Sequence, residues 1–99
     1  MYKLLMTCDI RPGRESEYFE FAVQELVPRL TRLGIQASEA WYTVYGNAPQ
    51  LLTGGIAADR ATLERAVESE EWKSLVEKLS NYVTNFKYKI VPHTGHFQL

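Results

Sequence analysis

Residues 40–49 read Ala40-Trp41-Tyr42-Thr43-Val44-Tyr45-Gly46-Asn47-Ala48-Pro49. The aromatic and β-branched residues among the first six positions predict a strand. The last four residues are typical of a turn. On each side of this turn the hydrophobic pattern changes in the order strand, helix, strand. The turn therefore joins two βαβ halves of one chain.

The N-terminal half begins with a predicted strand over residues 2–10, in which successive side chains point to opposite faces. A helix is predicted from about residue 14 to residue 33. Pro28 lies inside this helix and has no N–H, so we expect a kink near Gln24 and Glu25. Gly34 is expected to end the helix. The predicted buried stripe of the helix consists of Phe19, Val23, Leu26, Leu30 and Leu33.

Three further strands follow, one before the turn and two after it, together with a second helical region. The second, third and fourth strands are predicted at Ile35 to Tyr45, Gln50 to Ala58 and Tyr88 to Phe97. Gly54-Gly55 interrupts the third strand, which indicates a bulge or the close approach of a ligand or of a side chain such as Trp72 or Phe86. Pro92 in the fourth strand favours a sheet edge, a bulge or a local break in pairing.

The second helical region is predicted in two parts. Asp59 is a credible N-cap for a short helix that begins at Arg60, and a second start signal follows at Ser69. We therefore expect a bend near Ser69 and a longer helix that ends near Asn85. The predicted stripe of the longer helix consists of Trp72, Leu75, Val76, Leu79, Val83 and Phe86.

This order of elements predicts an α+β fold. Right-handed crossovers place both helical regions on one face of a four-stranded antiparallel sheet with strand order four-one-three-two, which is the ferredoxin-like βαββαβ arrangement. A chain of 99 residues is of ordinary size for one core, so residues 1–99 are expected to form a single domain.

Composition narrows the classes of function. A formal net charge of −1 provides no basic surface, so nucleic-acid binding is not expected. No segment is apolar over the length of a membrane span or resembles a secretion signal, so we expect no membrane association and a cytoplasmic protein. The single cysteine, Cys8, lies in an apolar run and is interpreted as a small buried hydrophobic residue.

Large apolar side chains fall on both faces of the predicted sheet. Trp41 and Tyr45 share one face of the second strand, and Tyr42 and Val44 share the other. Whichever face packs on the helices, apolar groups remain on the face that one copy leaves bare, and such surfaces generally mark an interface. The simplest cover is a second copy related by a two-fold axis, so we expect a homodimer through the sheet face.

Three segments and the apolar last strand carry a resemblance that extends over nearly the whole chain. They are Arg11-Pro12-Gly13, Ala40-Trp41-Tyr42 and Ser69-Glu70-Glu71-Trp72-Lys73-Ser74-Leu75. They resemble the dimeric α+β barrel superfamily, and its NIPSNAP-like branch in particular. The superfamily includes cofactor-free monooxygenases, haem-degrading oxygenases, isomerases and stress-responsive proteins. The resemblance implies a ligand cleft between the helices and the sheet.

A few side chains have the chemistry that such a cleft requires. His93 is the candidate for proton transfer, because the pKa of histidine lies near neutrality, and His96 is a candidate ligand contact. Trp41, Tyr42 and Tyr45 are candidates to line a flat aromatic ligand, although core and dimer packing also explain them. Tyr18 is a candidate for the cleft mouth. No metal site is expected, because the two histidines are three apart in a strand and lack neighbouring ligands.

Two functions from different classes fit these features. The first is a small-molecule enzyme, an oxygenase or isomerase that acts on a hydrophobic or aromatic compound in the cleft. The alternative is a non-catalytic homodimer that binds such a compound or serves in a stress response. A third role, in protein interaction alone, would need no pocket. The residues identify no cofactor.

Overall fold

The computed structural model describes residues 1–42 and 51–92, and structural statements refer to these residues. They form a four-stranded antiparallel sheet with the strand order β2-β3-β1-β4, which confirms the predicted order. The elements are β1 (Tyr2–Ile10), α1 (Glu15–Phe21), a π-helical segment (Ala22–Leu26), α2 (Val27–Arg32), β2 (Gln36–Tyr42), β3 (Leu51–Ala57), α3 (Arg60–Glu68), α4 (Glu70–Leu79) and β4 (Val83–Pro92).

The central strand β1 separates the two faces of the sheet. Its alternate residues Leu4, Met6, Cys8 and Ile10 are buried and belong to the core between the sheet and the helices. The other alternation, which begins at Lys3 and Leu5, lies on the side without helices, called the open face below. This is the alternation expected of a strand covered on one side. None of the helices in the described ranges is long and apolar enough to cross a membrane.

The first helical region runs through α1, the π-helical segment and α2 without a break. The N–H of Val27 donates to the carbonyl of Ala22, five residues earlier, and Pro28 follows with no N–H to donate. The irregularity therefore lies where the sequence predicts it, around Gln24 and Glu25, and takes the form of a π-helical turn. Gly34 follows the helix with a φ of 85°, as its sequence position predicts.

The buried stripe of this region differs from the predicted one. Phe19 and Val23 are 45% and 73% exposed, whereas Tyr18 and Phe21 are buried in the core. The π-helical turn is the physical reason, because its extra residue shifts everything upstream of Leu26 by one position relative to a regular helix. The predictions for Leu26 and Leu30, downstream of the shift, are confirmed.

The second helical region is divided as predicted. Asp59 caps α3 by accepting a hydrogen bond from the N–H of Thr62 at 2.8 Å. Ser69 separates α3 from α4, and its hydroxyl accepts a hydrogen bond from the N–H of Trp72 at 3.1 Å. The predicted bend at Ser69 is therefore confirmed.

The predicted end of α4 near Asn85 is wrong. The helix ends at Leu79, and Val83, placed on the helix by the sequence pattern, begins β4 opposite Ile10. Arg11 fixes this boundary, because its side chain donates to the carbonyl of Ser80 at 3.2 and 3.1 Å and its N–H donates to the carbonyl of Tyr82 at 2.8 Å. These tertiary bonds hold the chain in a turn where periodicity alone suggests helix.

The glycine pair in β3 does not interrupt the strand. Gly54 and Gly55 pair in continuous register with β1, and the irregularity lies in β2, between Ala37 and Glu39. A Cβ on Gly55 would lie 2.5 Å from Cγ2 of Ile35. Gly55 thus accommodates the core side chain of Ile35, the residue immediately before β2, so the close-approach interpretation holds with Ile35 as the neighbour.

Two predicted segments fall partly outside the described residues. The predicted strand at 35–45 is described as far as Tyr42, and the predicted strand at 88–97 as far as Pro92. The predicted turn at 46–49 lies outside the described residues. Within the sheet, β4 is an edge strand, which agrees with the prediction made from Pro92.

Candidate ligand-binding cleft

A cleft lies between the first helical region and the strands β2 and β3. Its volume is about 290 Å3. From the helix side it is lined by Phe19, Ala22, Leu26 and Val27, and from the sheet side mainly by alanines and Leu51. An apolar cavity of about 150 Å3 accommodates benzene, so this cleft has room for a somewhat larger ring system.

The local sequence explains why the space is open. The helical wall contains Ala22, at the start of the π-helical segment, and the facing part of β2 contains Ala37 and Ala40. The smallest apolar side chains therefore meet where helix and sheet would otherwise interdigitate. π-Helical turns occur frequently at functional sites, and here the turn places a one-carbon side chain at the cleft.

Tyr18 supplies the buried polar group of the cleft. Its side chain is 4% exposed, and its phenol is hydrogen-bonded to the hydroxyl of Thr53 on β3. The pKa of Tyr18 is raised to about 12, chiefly by burial and to a smaller extent by the neighbouring Cys8, while the hydrogen bond to Thr53 opposes the rise. Tyr18 is therefore a protonated phenol at neutral pH, able to donate a hydrogen bond and unable to act as a base.

Cys8 lies in the core next to Tyr18. Burial and, to a smaller extent, the carboxylate of Asp9 together raise the pKa of its thiol to about 11. The thiolate is the reactive form of cysteine, so a thiol with this pKa is unreactive at neutral pH. The interpretation of Cys8 as a buried hydrophobic residue is confirmed.

Aromatic rings lead from the buried phenol to the surface. The rings of Tyr18 and Phe19 are 5.4 Å apart with an interplanar angle of 75°, and those of Phe19 and Tyr42 are 6.1 Å apart at 66°. Both contacts have the edge-to-face geometry that aromatic pairs prefer. Phe19 and Tyr42 are partly exposed, so they lie at the outer end of the cleft.

The structure brings together some of the candidate site residues and separates others. Tyr18 lines the cleft and Tyr42 contacts it through Phe19. Trp41 lies on the open face opposite Leu52, away from the cleft, and is 61% exposed. Tyr45, His93 and His96 lie outside the described residues. The ligand-binding and catalytic roles of all six residues stay predictions.

The sequence alone does not single out Ala22, Leu26 or Thr53 as cleft residues. The one available signal is Pro28, which predicts the irregular turn but not its consequence for the residues that line the cleft. Within residues 1–42 and 51–92, no group of three or more His, Cys, Asp or Glu side chains is placed to hold a metal ion.

The fold is that of several solved structures. A NIPSNAP domain protein of Burkholderia xenovorans matches at a TM-score of 0.70 and 16% identity, over 99% of this chain and 100% of that one. HapK from Hahella chejuensis matches at a TM-score of 0.72 and 16% identity, over 100% of this chain and 98% of that one. A candidate antibiotic biosynthesis monooxygenase from Nitrosomonas europaea matches at a TM-score of 0.67 and 9% identity, over 95% of this chain and 99% of that one. No family profile and no curated protein matches the sequence.

These likenesses establish the architecture. The chain has the α+β, ferredoxin-like fold of the NIPSNAP domain proteins, which an antibiotic biosynthesis monooxygenase-like protein shares. The resemblance noted in the sequence is therefore confirmed at the level of the fold. Proteins with one fold perform unrelated reactions, so the function has to be argued from the cleft.

Proposed function

We propose that this protein binds a small, flat, largely apolar compound in the cleft beneath the first helical region. The observation that carries the proposal is the Tyr18–Thr53 hydroxyl pair within largely apolar walls. The two hydroxyls contain two hydrogens and need only one for the bond between them. One O–H remains to orient a ligand, and an apolar pocket with a few polar groups is the usual form of such a site.

The charges around the cleft favour a neutral ligand. Among the described lining residues Glu39 is the only charged one, and it forms an ion pair with Lys3. An anionic ligand would meet no cation in this lining, and a cationic ligand would meet no carboxylate, because Glu39 pairs with Lys3 on the open face, on the other side of the sheet. A ketone, quinone or phenol of one or two rings meets both the polar and the apolar requirements.

The test is calorimetric titration with 1-indanone and with indane, which differs in lacking the oxygen acceptor. We expect 1-indanone to bind more tightly, and Tyr18→Phe to weaken its binding by about three- to tenfold, the value of one neutral hydrogen bond. Ala22→Phe fills the cleft and should abolish binding. Val23→Phe is the matched control, because Val23 points away from the cleft. Equal affinity of the two compounds, or equal effects of the two phenylalanine variants, would contradict the proposal.

A second candidate function is catalysis on the same ligand, as an oxygenase or isomerase. It is favoured by the protonated Tyr18 phenol at the cleft and by the fold likeness to the candidate monooxygenase from Nitrosomonas europaea. His93 remains the proposed proton-transfer residue. Dioxygen uptake with a panel of hydroxyarenes tests the idea: His93→Ala should abolish turnover and His96→Ala should retain it. Tight binding without turnover would leave the protein a binder.

We further propose that two copies pair through the open face. Leu5, Leu52 and Ile56 are only half-buried there, and Trp41 is largely exposed beside Leu52. Covering these side chains with a second sheet would remove their apolar surface from water. Sedimentation equilibrium should return a dimer for the parent and a monomer for Leu52→Glu. Val23→Glu, on the helical side, should remain dimeric, and a monomeric parent would refute this pairing.

The cytoplasm is the proposed location. The chain holds its one cysteine as a buried free thiol in the core, which suits a reducing compartment. Cell fractionation with an antibody against the purified protein tests the location directly.

A further inference from the structure

The residues of the open face lie in rows that run across the four strands of the sheet, from β2 through β3 and β1 to β4. The pairing registers give the first row as Gln36, Ile56, Lys3 and Val91. The second row is Glu39, Gly54, Leu5 and Lys89. The third row is Trp41, Leu52, Thr7 and Lys87. Successive rows are two residues apart along β1, so the side chains of all three rows point away from the helices.

Apolar residues occupy the middle of this face. Leu5 on β1 and both Leu52 and Ile56 on β3 are half-buried, and β1 and β3 are the two inner strands of the sheet. Charged side chains lie mainly on the outer strands β2 and β4. An apolar centre with a polar rim is the usual organisation of a protein interface.

The two outer strands differ in charge. Lys87 and Lys89 lie on β4, and none of the ion pairs within the described residues includes either of them. Glu39 lies on β2 and pairs with Lys3. The side chain of Glu39 remains 39% exposed, so its carboxylate can accept a second cation. The β4 edge of the open face is therefore basic and the β2 edge acidic.

A two-fold axis can relate two aligned sheets in two ways. Such sheets stack about 10 Å apart, with their strands within about 30° of each other. If the axis is perpendicular to the strands and crosses the second row, Lys89 opposes Lys89 of the partner subunit and Glu39 opposes Glu39. If the axis is parallel to the strands, β2 lies over β4 of the partner subunit and each row faces the same row. Like charges directly opposite each other are destabilising, so the charges favour the parallel axis.

We propose that two copies of this chain pair about an axis parallel to the strands, with β2 of each subunit over β4 of the other. This inference rests on the proposed pairing through the open face and specifies its arrangement. Glu39 then binds Lys89 of the partner subunit in addition to Lys3. Trp41, which is 61% exposed, receives Lys87 of the partner subunit as a cation against its ring. The two-fold axis makes each of these contacts twice.

The first test is a double-mutant cycle on dimer dissociation, measured by sedimentation equilibrium. Within one subunit Glu39 and Lys89 are three strand spacings apart, about 14 Å, which exceeds the screening length of about 8 Å at physiological salt. Any coupling between them therefore reports contact between subunits.

The expected size of the effect follows from the two symmetric pairs. An exposed ion pair is worth up to about fivefold in affinity, so Lys89→Gln should raise the dissociation constant by up to about 25-fold. In the Glu39→Gln background the same change should have a much smaller effect. Lys73→Gln is the matched control, because it makes the same change of charge on α4, on the helical side, and should leave the dissociation constant unchanged.

The second test traps the arrangement by cross-linking. The single cysteine of the chain, Cys8, is buried, so added cysteines are the accessible thiols. The double variant Gln36→Cys/Val91→Cys should be joined into dimers by bismaleimidoethane, a linker too short to bridge the sheet within one subunit. Neither single variant should be joined. Lys89→Cys alone should also give no cross-link, whereas it would give one if β4 faced β4.

The outcomes distinguish this proposal from the one on which it rests. A monomeric parent would refute pairing through the open face and this arrangement with it. A dimeric parent in which Glu39→Gln and Lys89→Gln act additively, or in which Lys89→Cys alone becomes cross-linked, would overturn this arrangement and leave the pairing intact.

Discussion

Replacing Gly55 by alanine tests the packing of β3 against the start of β2. The new Cβ would lie 2.5 Å from Cγ2 of Ile35, while its next contacts, the carbonyl of Gln36 and Cβ of Ile35, are at 3.8 and 4.0 Å. The conflict is thus with a single methyl group of a fully buried residue. Overpacking of this kind costs about 1–3 kcal/mol. Loss of glycine stabilises a chain by about 0.4–1 kcal/mol through the unfolded state, which leaves a net loss of about 1–2 kcal/mol.

The double variant identifies the methyl group responsible. Ile35→Leu conserves volume but has no Cγ2, so in this background Gly55→Ala should be neutral or slightly stabilising, and the two changes should couple by about 1–2 kcal/mol. Urea unfolding followed by circular dichroism measures all four proteins, and Gly55→Ala alone should lower the melting temperature by about 5–15 °C. Gly13→Ala is the control. Gly13 has a φ of 81°, and no atom lies within 4 Å of the point where a Cβ would be. Any loss of stability in this variant therefore comes from backbone strain and should not depend on residue 35. An equal loss from Gly55→Ala in both backgrounds would refute the reasoning.

Three further predictions concern ionisation and capping. The pKa of Tyr18 is raised to about 12. The protonated phenol therefore stabilises the fold below pH 10, and this contribution is lost as the pH rises from 10 to 12. In Tyr18→Phe the free energy of unfolding, followed by fluorescence, should depend less on pH over that range. Hydrogen bonds from Arg29 and Arg32 lower the pKa of Glu71 from 4.5 to about 2, so the ionised Glu71 stabilises the fold above pH 4.5 and this contribution is lost as the pH falls towards 2. Glu71→Gln should therefore lower the urea midpoint at pH 6 and leave it nearly unchanged at pH 2, and equal effects at both pH values would contradict this. Asp59→Ala removes the N-cap of α3 and should cost about 1 kcal/mol in urea unfolding, whereas Asp59→Asn should cost much less.

The order of the strands and the division of the second helical region could be predicted because they depend on local signals. Hydrophobic alternation marks β1, and Asp59 and Ser69 mark the starts of α3 and α4. The end of α4 could not be predicted in the same way. Val83 and Phe86 continue a helical spacing, and the turn that stops the helix depends on Arg11, which is 69 residues from its partner Ser80.

The buried face of the first helical region shows a second limit of periodicity. Pro28 correctly predicted an irregular turn, but a kink and a π-helical turn have different consequences upstream. After a kink, the residues predicted to face the core would still face it. The extra residue of a π-helical turn instead turns Tyr18 towards the core and Phe19 towards the surface. The sequence therefore indicated where the helix is irregular but not which side chain enters the cleft.

The candidate site was predictable only in part for a related reason. Trp41 and Tyr42 are neighbours in a strand, so they necessarily point to opposite faces and cannot line one cleft. Tyr42 is on the cleft side and Trp41 on the open face. The sequence pattern placed Phe86 on the helical stripe, whereas it lies in β4 next to Tyr88 and Trp72, so this group of rings could not be predicted.

The π-helical segment decides which aromatic ring enters the cleft. In a regular helix Phe19, seven residues before Leu26, would share the inward face with Leu26, and Tyr18 would turn outward by roughly 100°. A change that straightened this turn without removing a residue would therefore exchange a phenol for a hydrocarbon ring. Removing one residue together with the turn would instead leave Tyr18 seven residues before Leu26 and facing inward, so the oxygen-recognising pocket would tolerate a shorter chain at this position.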